Sequence, residues 1–125
     1  MCLLLAWAGH ARADGGWLLR DWRAFGLLVL FYPVVEEIAF RGWIQGYLMH
    51  GVLADRHWRV LSLPNLITTL LFAAMHLVYH TPYWALLVIA PSLVYGYFRE
   101  RSGSVMPSIA LHAFYNFVYF SLIKL

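Results

Sequence analysis

Glu36, Glu37 and Arg41 stand inside one of the most apolar runs of the chain, where charge needs a reason. A charged side chain at the centre of a membrane helix costs about 2.5 to 3.5 kcal/mol on insertion scales. On a helix, residues four apart share a face while immediate neighbours lie about 100° apart. That spacing pairs Glu37 with Arg41 and turns Glu36 to another side. The pair offsets much of its own burial cost, which leaves Glu36, without a local cation, as the candidate for chemistry. The plainer reading puts all three at the lipid headgroups, solvating a helix end. It fits poorly with the apolar Trp43, Ile44, Tyr47, Leu48 and Met49 that follow.

His112 and Asn116 are also four apart, in a stretch otherwise apolar or aromatic from Ile109 to Phe120. A histidine and an amide sharing one face in hydrocarbon need partners on a neighbouring helix or in a polar cavity. Interhelical bonding competes with a catalytic role here, and for His76 taken alone it is the better reading. His80, beside the Thr81-Pro82 turn, reads as solvated at the interface. Depth changes the balance. With spans starting near Ala24, Asn65 and Pro107, a rise of 1.5 Å per residue puts Glu36, His76, His112 and Asn116 all roughly 8 to 17 Å below one face. A carboxylate and an imidazole can take a proton from water, while an imidazole N–H and a carboxamide N–H can hold an oxyanion. That is the equipment for hydrolysis of a carbonyl by water. No serine or cysteine is placed as a nucleophile.

The elements that must position these groups follow from bulk properties and punctuation. The chain has 125 residues, 62% hydrophobic and 12% charged, far from the roughly 25% charged usage of soluble domains. It reads as all-α, a polytopic membrane helical bundle of about four transmembrane helices plus a short N-terminal apolar segment. A net charge of +3, scattered at loop ends, argues against nucleic acid. The single cysteine, Cys2, excludes an internal disulfide and a cysteine metal cluster. Residues 1–9 are apolar, too short to span a bilayer and without the features of a secretory signal, so they read as the stub of a helix. Residues 11–23 form a mixed-charge loop, with Trp17 and Trp22 suited to an interfacial belt.

The first full span covers residues 24–50, roughly 40 Å of helix, with Pro33 expected to kink it a turn before the glutamates. Residues 51–59 are a polar loop. The second span covers residues 66–78. The third, residues 83–98, holds Pro91 as a second expected kink and reads as scaffold. Arg99 to Ser104 form a charged turn, Pro107 marks a helix start, and residues 108–122 are the last span. If the spans alternate, Arg12, Arg20, Arg23 and Lys124 face Arg56, Arg59, Arg99 and Arg101, so the positive-inside count is a tie. No linker, repeat or low-complexity tract divides the chain. Residues 1–125 therefore read as one membrane-embedded domain, with a motif-bearing core over about 24–123.

Three ordered motifs carry a resemblance. Glu36-Glu37-Ile38-Ala39-Phe40-Arg41 matches EExxxR, Phe72-Ala73-Ala74-Met75-His76 matches FxxxH, and His112-Ala113-Phe114-Tyr115-Asn116 matches HxxxN. Each alone is weak; in this order they resemble the CAAX protease and bacteriocin-processing (Abi) family of intramembrane endopeptidases. The resemblance implies that Glu36 activates water with His76, that His112 and Asn116 form the oxyanion site, and that Glu37, Arg41 and Phe72 support them. It implies a multi-pass protein of a bacterial cytoplasmic membrane. Its substrate would be a membrane-associated peptide, whether a prenylated tail, a bacteriocin leader or a sorting signal. A metal-free site is the favoured expectation, since zinc on Glu36, His76 and His112, with His80 in reserve, would consume the base and the oxyanion donor. Two other classes stay open: a binding or immunity protein without proteolysis, and an intramembrane proton or ion pathway.

Overall fold

The computed structural model describes residues 12–13 and 17–124. The apolar stub at residues 1–9, Cys2 included, lies outside the described residues. A two-residue strand β1 (Arg12–Ala13) pairs antiparallel with β4 (Ile123–Lys124), Arg12 opposite Lys124. After a short helix α1 (Trp17–Arg20), Asp21 caps the next helix by accepting from the Arg23 and Ala24 amides at 3.1 Å each, two donors that a helix start leaves unpaired.

That next helix, α2, runs over residues 22–48 without leaving right-handed helical backbone, but it changes winding on the way. Gly26–Phe31 and Ile38–Gln45 are π-helical, and the α-helical turn Tyr32–Glu37 between them carries Pro33 and both glutamates. In the first π segment the Tyr32 amide reaches back five residues to the Leu27 carbonyl. Ahead of Pro33, whose missing donor the sequence marks as a disturbance, the winding widens into a π turn.

The polar loop expected over residues 51–59 ends in a hairpin, β2 (His57–Trp58) against β3 (Leu61–Ser62), turning at Arg59 with φ 56°. Ser62 then caps α3 (Leu63–Leu77), accepting from the Asn65 amide at 3.0 Å, with Pro64 in the first turn where no donor is missed. The expected third span divides in two, α4 (Pro82–Leu87) and α5 (Ile89–Ser102). Pro91 explains the division: it lacks the N–H that would bond the Leu87 carbonyl, and its ring crowds that carbonyl. Gly103, at φ 70°, ends α5 in the left-handed conformation that glycine adopts without strain. Ser104 then receives the Met106 amide at 3.2 Å as α6 (Met106–Leu122) begins.

The fold is mostly helical, as the all-α expectation required. Taken as separate elements, no helix among the described residues is long and apolar enough to cross a membrane. What packs inside is unusual. One apolar cluster joins Trp17, Leu18, Leu28, Val29 and Phe120 from α1, α2 and α6. Elsewhere the interior is polar: Glu37, Arg41, Gln45, Asn65, Thr68, Thr69, Ser92 and Ser108 are all buried to within 1%. Arg41, Asn65, Thr69 and Ser92 bond one another across α2, α3 and α5. Arg41 donates to both the carbonyl and the hydroxyl of Ser92; Ser92 Oγ donates to Thr69 Oγ1 at 2.9 Å, and Thr69 Oγ1 to Asn65 Oδ1 at 3.4 Å. Asn65 Nδ2 reaches the Leu93 carbonyl at 2.9 Å. One turn on, Gln45 Nε2 bonds the Gly96 carbonyl at 3.1 Å and Glu100 Oε1 at 2.9 Å, and Ser62 Oγ donates to the same carboxylate oxygen. The helices approach so closely here that a Cβ on Gly96 would sit 1.9 Å from Asn65 Oδ1.

Candidate active site

Glu37 is the centre of the arrangement. It is fully buried, and its Oε1 accepts from Arg41 Nη1 at 3.0 Å and from His112 Nδ1 at 2.8 Å, so it ties α2 to α6. The intrahelical pair is the one that the four-residue spacing indicates, and it survives the onset of the π winding. The bond to His112, 75 residues away in sequence, has no local signature. Because a carboxylate oxygen only accepts, the hydrogen lies on His112 Nδ1, and Nε2 is the atom left for chemistry. Nε2 faces Glu36 Oε2 at 3.7 Å. The two glutamates, which helical spacing turns to different sides, thus come to opposite edges of one imidazole. Glu36 is 11% exposed, and among the described residues its Oε2 has no hydrogen-bond partner.

His76 is held differently. Its Nδ1 donates to the Phe72 carbonyl one turn back at 2.8 Å, which again leaves Nε2 as the working atom, here with no carboxylate paired to it among the described residues. The Phe72 ring lies against three of these groups: 4.6 Å from the His76 ring, 5.9 Å from the His112 ring, and 4.8 Å beneath the Arg41 guanidinium. Phe40 meets Phe72 edge-on at 5.1 Å. Tyr95 stacks on His112 at 5.0 Å with an 18° tilt and lies 5.3 Å from the guanidinium. The third span, read from the sequence as scaffold, therefore supplies a wall of the site through Tyr95 and a clamp on Arg41 through Ser92. A short run of aromatic and hydroxyl residues in an apolar helix does not distinguish these roles in advance.

A cavity of about 180 Å³ opens beside this cluster, and His76, His112, Asn116, Phe72 and Tyr95 all line it, together with His80, Trp84 and Tyr119. Glu36 is not on its wall and approaches it through His112. Asn116 Nδ2 donates to the Leu28 carbonyl at 2.8 Å, so one of its two amide hydrogens is committed to α2. His80, expected at the interface in solvent, stacks on His76 at 5.7 Å with a 21° tilt. Among the described residues no three His, Cys, Asp or Glu side chains are placed to hold a metal ion together. The zinc alternative on Glu36, His76 and His112 thus finds no assembled ligand set.

A family model described as Rce1-like, type II CAAX prenyl endopeptidase, matches residues 18–118, a segment that begins in α1, ends in α6 and takes in every residue of this cluster. No curated protein and no solved structure matches the chain. The ordered motifs and the family match agree, and the chain belongs to the Rce1-like type II CAAX prenyl endopeptidase family.

Proposed function

We propose that this protein is an intramembrane endopeptidase that hydrolyses a peptide bond of a membrane-associated, prenylated substrate by attack of water. The family supports a protease in general. The membrane setting is supported by the inside-out distribution of side chains. Leu30, Phe31, Val35, Ile38, Trp43, Leu70 and Val78 are exposed, while Glu37, Arg41 and several amide and hydroxyl groups are buried. In water such a surface would be an aggregation liability; in lipid it is the expected one.

The observation that carries the mechanism is the contrast between the two imidazoles. His76, fixed at Nδ1 by a carbonyl, presents a bare Nε2 in its neutral form and suits proton acceptance. His112 lies between two carboxylates, and with Nδ1 committed to Glu37 it can donate to an oxyanion only from a protonated Nε2. Glu36 and His76 then take the proton of the attacking water. The oxygen adds to the carbonyl carbon, and His112 Nε2–H with an Asn116 amide hydrogen holds the developing charge. On collapse the C–N bond breaks, and the proton taken from water goes to the leaving amine. Glu37 and Arg41 orient His112, as a buried carboxylate orients the histidine of a hydrolytic triad.

The test is turnover of a prenylated CAAX peptide by the purified protein in lipid nanodiscs. Glu36→Gln should abolish it while leaving the unfolding midpoint near that of the unaltered protein, because Glu36 Oε2 makes no hydrogen bond to lose. Retained turnover refutes the assignment. Mass spectrometry of membrane peptides, comparing cells that carry the unaltered protein with cells that carry the Glu36→Gln variant, would then identify the natural substrate.

A further inference from the structure

We propose that the hollow between the β2–β3 hairpin and the end of α5 binds a phosphate anion, supplied by the headgroup of an anionic lipid. The inference rests on the membrane setting of the reading above and not on its peptidase chemistry. The hollow has a volume of about 440 Å³ and is lined by His57, Arg59, Val60, Tyr97, Glu100 and Arg101, so it shares no wall residue with the catalytic cluster. Both guanidiniums are held against rings: Arg59 lies over Trp58 at 5.7 Å and Arg101 over Tyr97 at 5.4 Å. Among the described residues neither has a carboxylate partner. The carboxylate on the wall is engaged elsewhere, for Glu100 Oε1 accepts from Gln45 Nε2 at 2.9 Å and from Ser62 Oγ. Two guanidiniums against one carboxylate leave the wall with an excess of positive charge, and the planar fork of an arginine matches the oxygens of a phosphate.

The hairpin indicates where that phosphate comes from. Trp58 and Val60 flank Arg59 and are 72% and 69% exposed, as side chains are that lie at the boundary between headgroups and acyl chains. They hold the hairpin at the depth of the lipid phosphates. Arg59 itself makes the turn at φ 56°, a left-handed conformation that is costly for any residue with a Cβ. Glycine or asparagine would make the same turn with less strain. The turn is therefore a poor one for folding alone, and what it gains is a guanidinium at the rim of the hollow. An arginine beside a membrane is drawn to anionic lipid, with an attraction that salt screens.

The test is a titration of the whole chain, in neutral maltoside micelles at low salt, with short-chain phosphatidylglycerol, reading the melting midpoint. Phosphatidylglycerol should raise the midpoint to a plateau, while short-chain phosphatidylcholine and glycerol phosphate should do so far more weakly. Arg59→Gln and Arg101→Gln should each raise the concentration needed about fivefold. Arg23→Gln, which removes an arginine stacked on Trp22 at the start of α2, should leave it unchanged. Arg59→Gly relieves the turn, so its midpoint without lipid should not fall, yet its response should weaken as in Arg59→Gln; this separates loss of the ligand from loss of the fold. An unaltered protein that does not respond, or an undiminished response in the Arg59→Gln/Arg101→Gln double variant, overturns the site. Glycerol phosphate acting as strongly as phosphatidylglycerol overturns the lipid source and makes a soluble phosphate compound the ligand. Flotation with vesicles of pure phosphatidylcholine keeps this failure apart from that of the membrane setting. A protein that floats yet shows no preference for phosphatidylglycerol refutes the site alone, and one that does not float refutes both.

Discussion

Replacing Glu37 with Gln removes the one charge that both Arg41 and His112 address. Arg41 is fully buried, and beyond Glu37 its side-chain partners among the described residues are the neutral Ser92 oxygens and the faces of Phe72 and Tyr95. Stranding one member of a buried pair costs about 3–5 kcal/mol. Glutamine retains one acceptor oxygen, so the lower end is expected, about 3 kcal/mol. Arg41→Met should cost a similar amount, because it leaves Ser92 O without its donor and Glu37 with His112 alone. In the double variant no charge is left uncompensated at this pair. What persists is His112 Nδ1 meeting a weaker acceptor and Ser92 O unpaired, about 1–3 kcal/mol for each buried group. Two such groups cost about 2–6 kcal/mol against about 6 kcal/mol for the sum of the singles, so the double should fall short of that sum by about 2 kcal/mol at the middle of the range. That margin is decisive, since hydrogen bonds between membrane helices average only about 0.6 kcal/mol in such cycles. Equilibrium unfolding in mixed micelles, followed by helix signal, measures all four proteins. Additivity within about 0.5 kcal/mol would refute the claim that Glu37 and Arg41 function as one buried pair.

Asn116→Ala should lower kcat on the order of 10² to 10³, as loss of one oxyanion donor does, measured with a saturating peptide. It should also destabilise the fold by about 1–3 kcal/mol through the orphaned Leu28 carbonyl. Gly96→Ala should destabilise by about 1–3 kcal/mol or more, read as a lowered melting midpoint, because its Cβ collides with Asn65 and breaks the α3–α5 contact. Treatment with a strong chelator should leave peptidase activity in place; activity lost and then restored by stoichiometric zinc would overturn the metal-free mechanism.

What is legible in the sequence is what repeats within one helix. Glu37 with Arg41 follows from a four-residue interval, and the shared face of His112 and Asn116 does too. The helical class follows from composition, and the start of α6 from Pro107; the cap at Ser62 does not, and Arg99 to Ser102, read as part of a charged turn, continue α5. The features that sequence does not reveal have a common cause. A π turn depends on which carbonyl an amide selects, and no side-chain pattern around Gly26 or Ile38 announces that choice. Contacts between helices, such as Glu37 with His112 or Arg41 with Ser92, depend on how helices rotate against one another. The division at Val88 is half visible, since Pro91 marks a disturbance without giving its form. Thr69, Asn65 and Ser92 are inconspicuous polar residues of apolar helices until Arg41 is placed beside them.

Many of the bonds that hold this site end on main-chain oxygen. Asn116 grips Leu28, His76 grips Phe72, Arg41 grips Ser92, Gln45 grips Gly96, Asn65 grips Leu93 and Ser108 grips Tyr95, each at a carbonyl. A carbonyl is present whatever side chain its residue bears. Mutational drift at Leu28 or Leu93 that preserves helix and volume leaves these bonds standing, whereas the donor has no substitute of equal reach. The cost of change therefore falls on one partner of each bond. Three of these donors, Arg41, His76 and Asn116, are the closing letters of the EExxxR, FxxxH and HxxxN motifs.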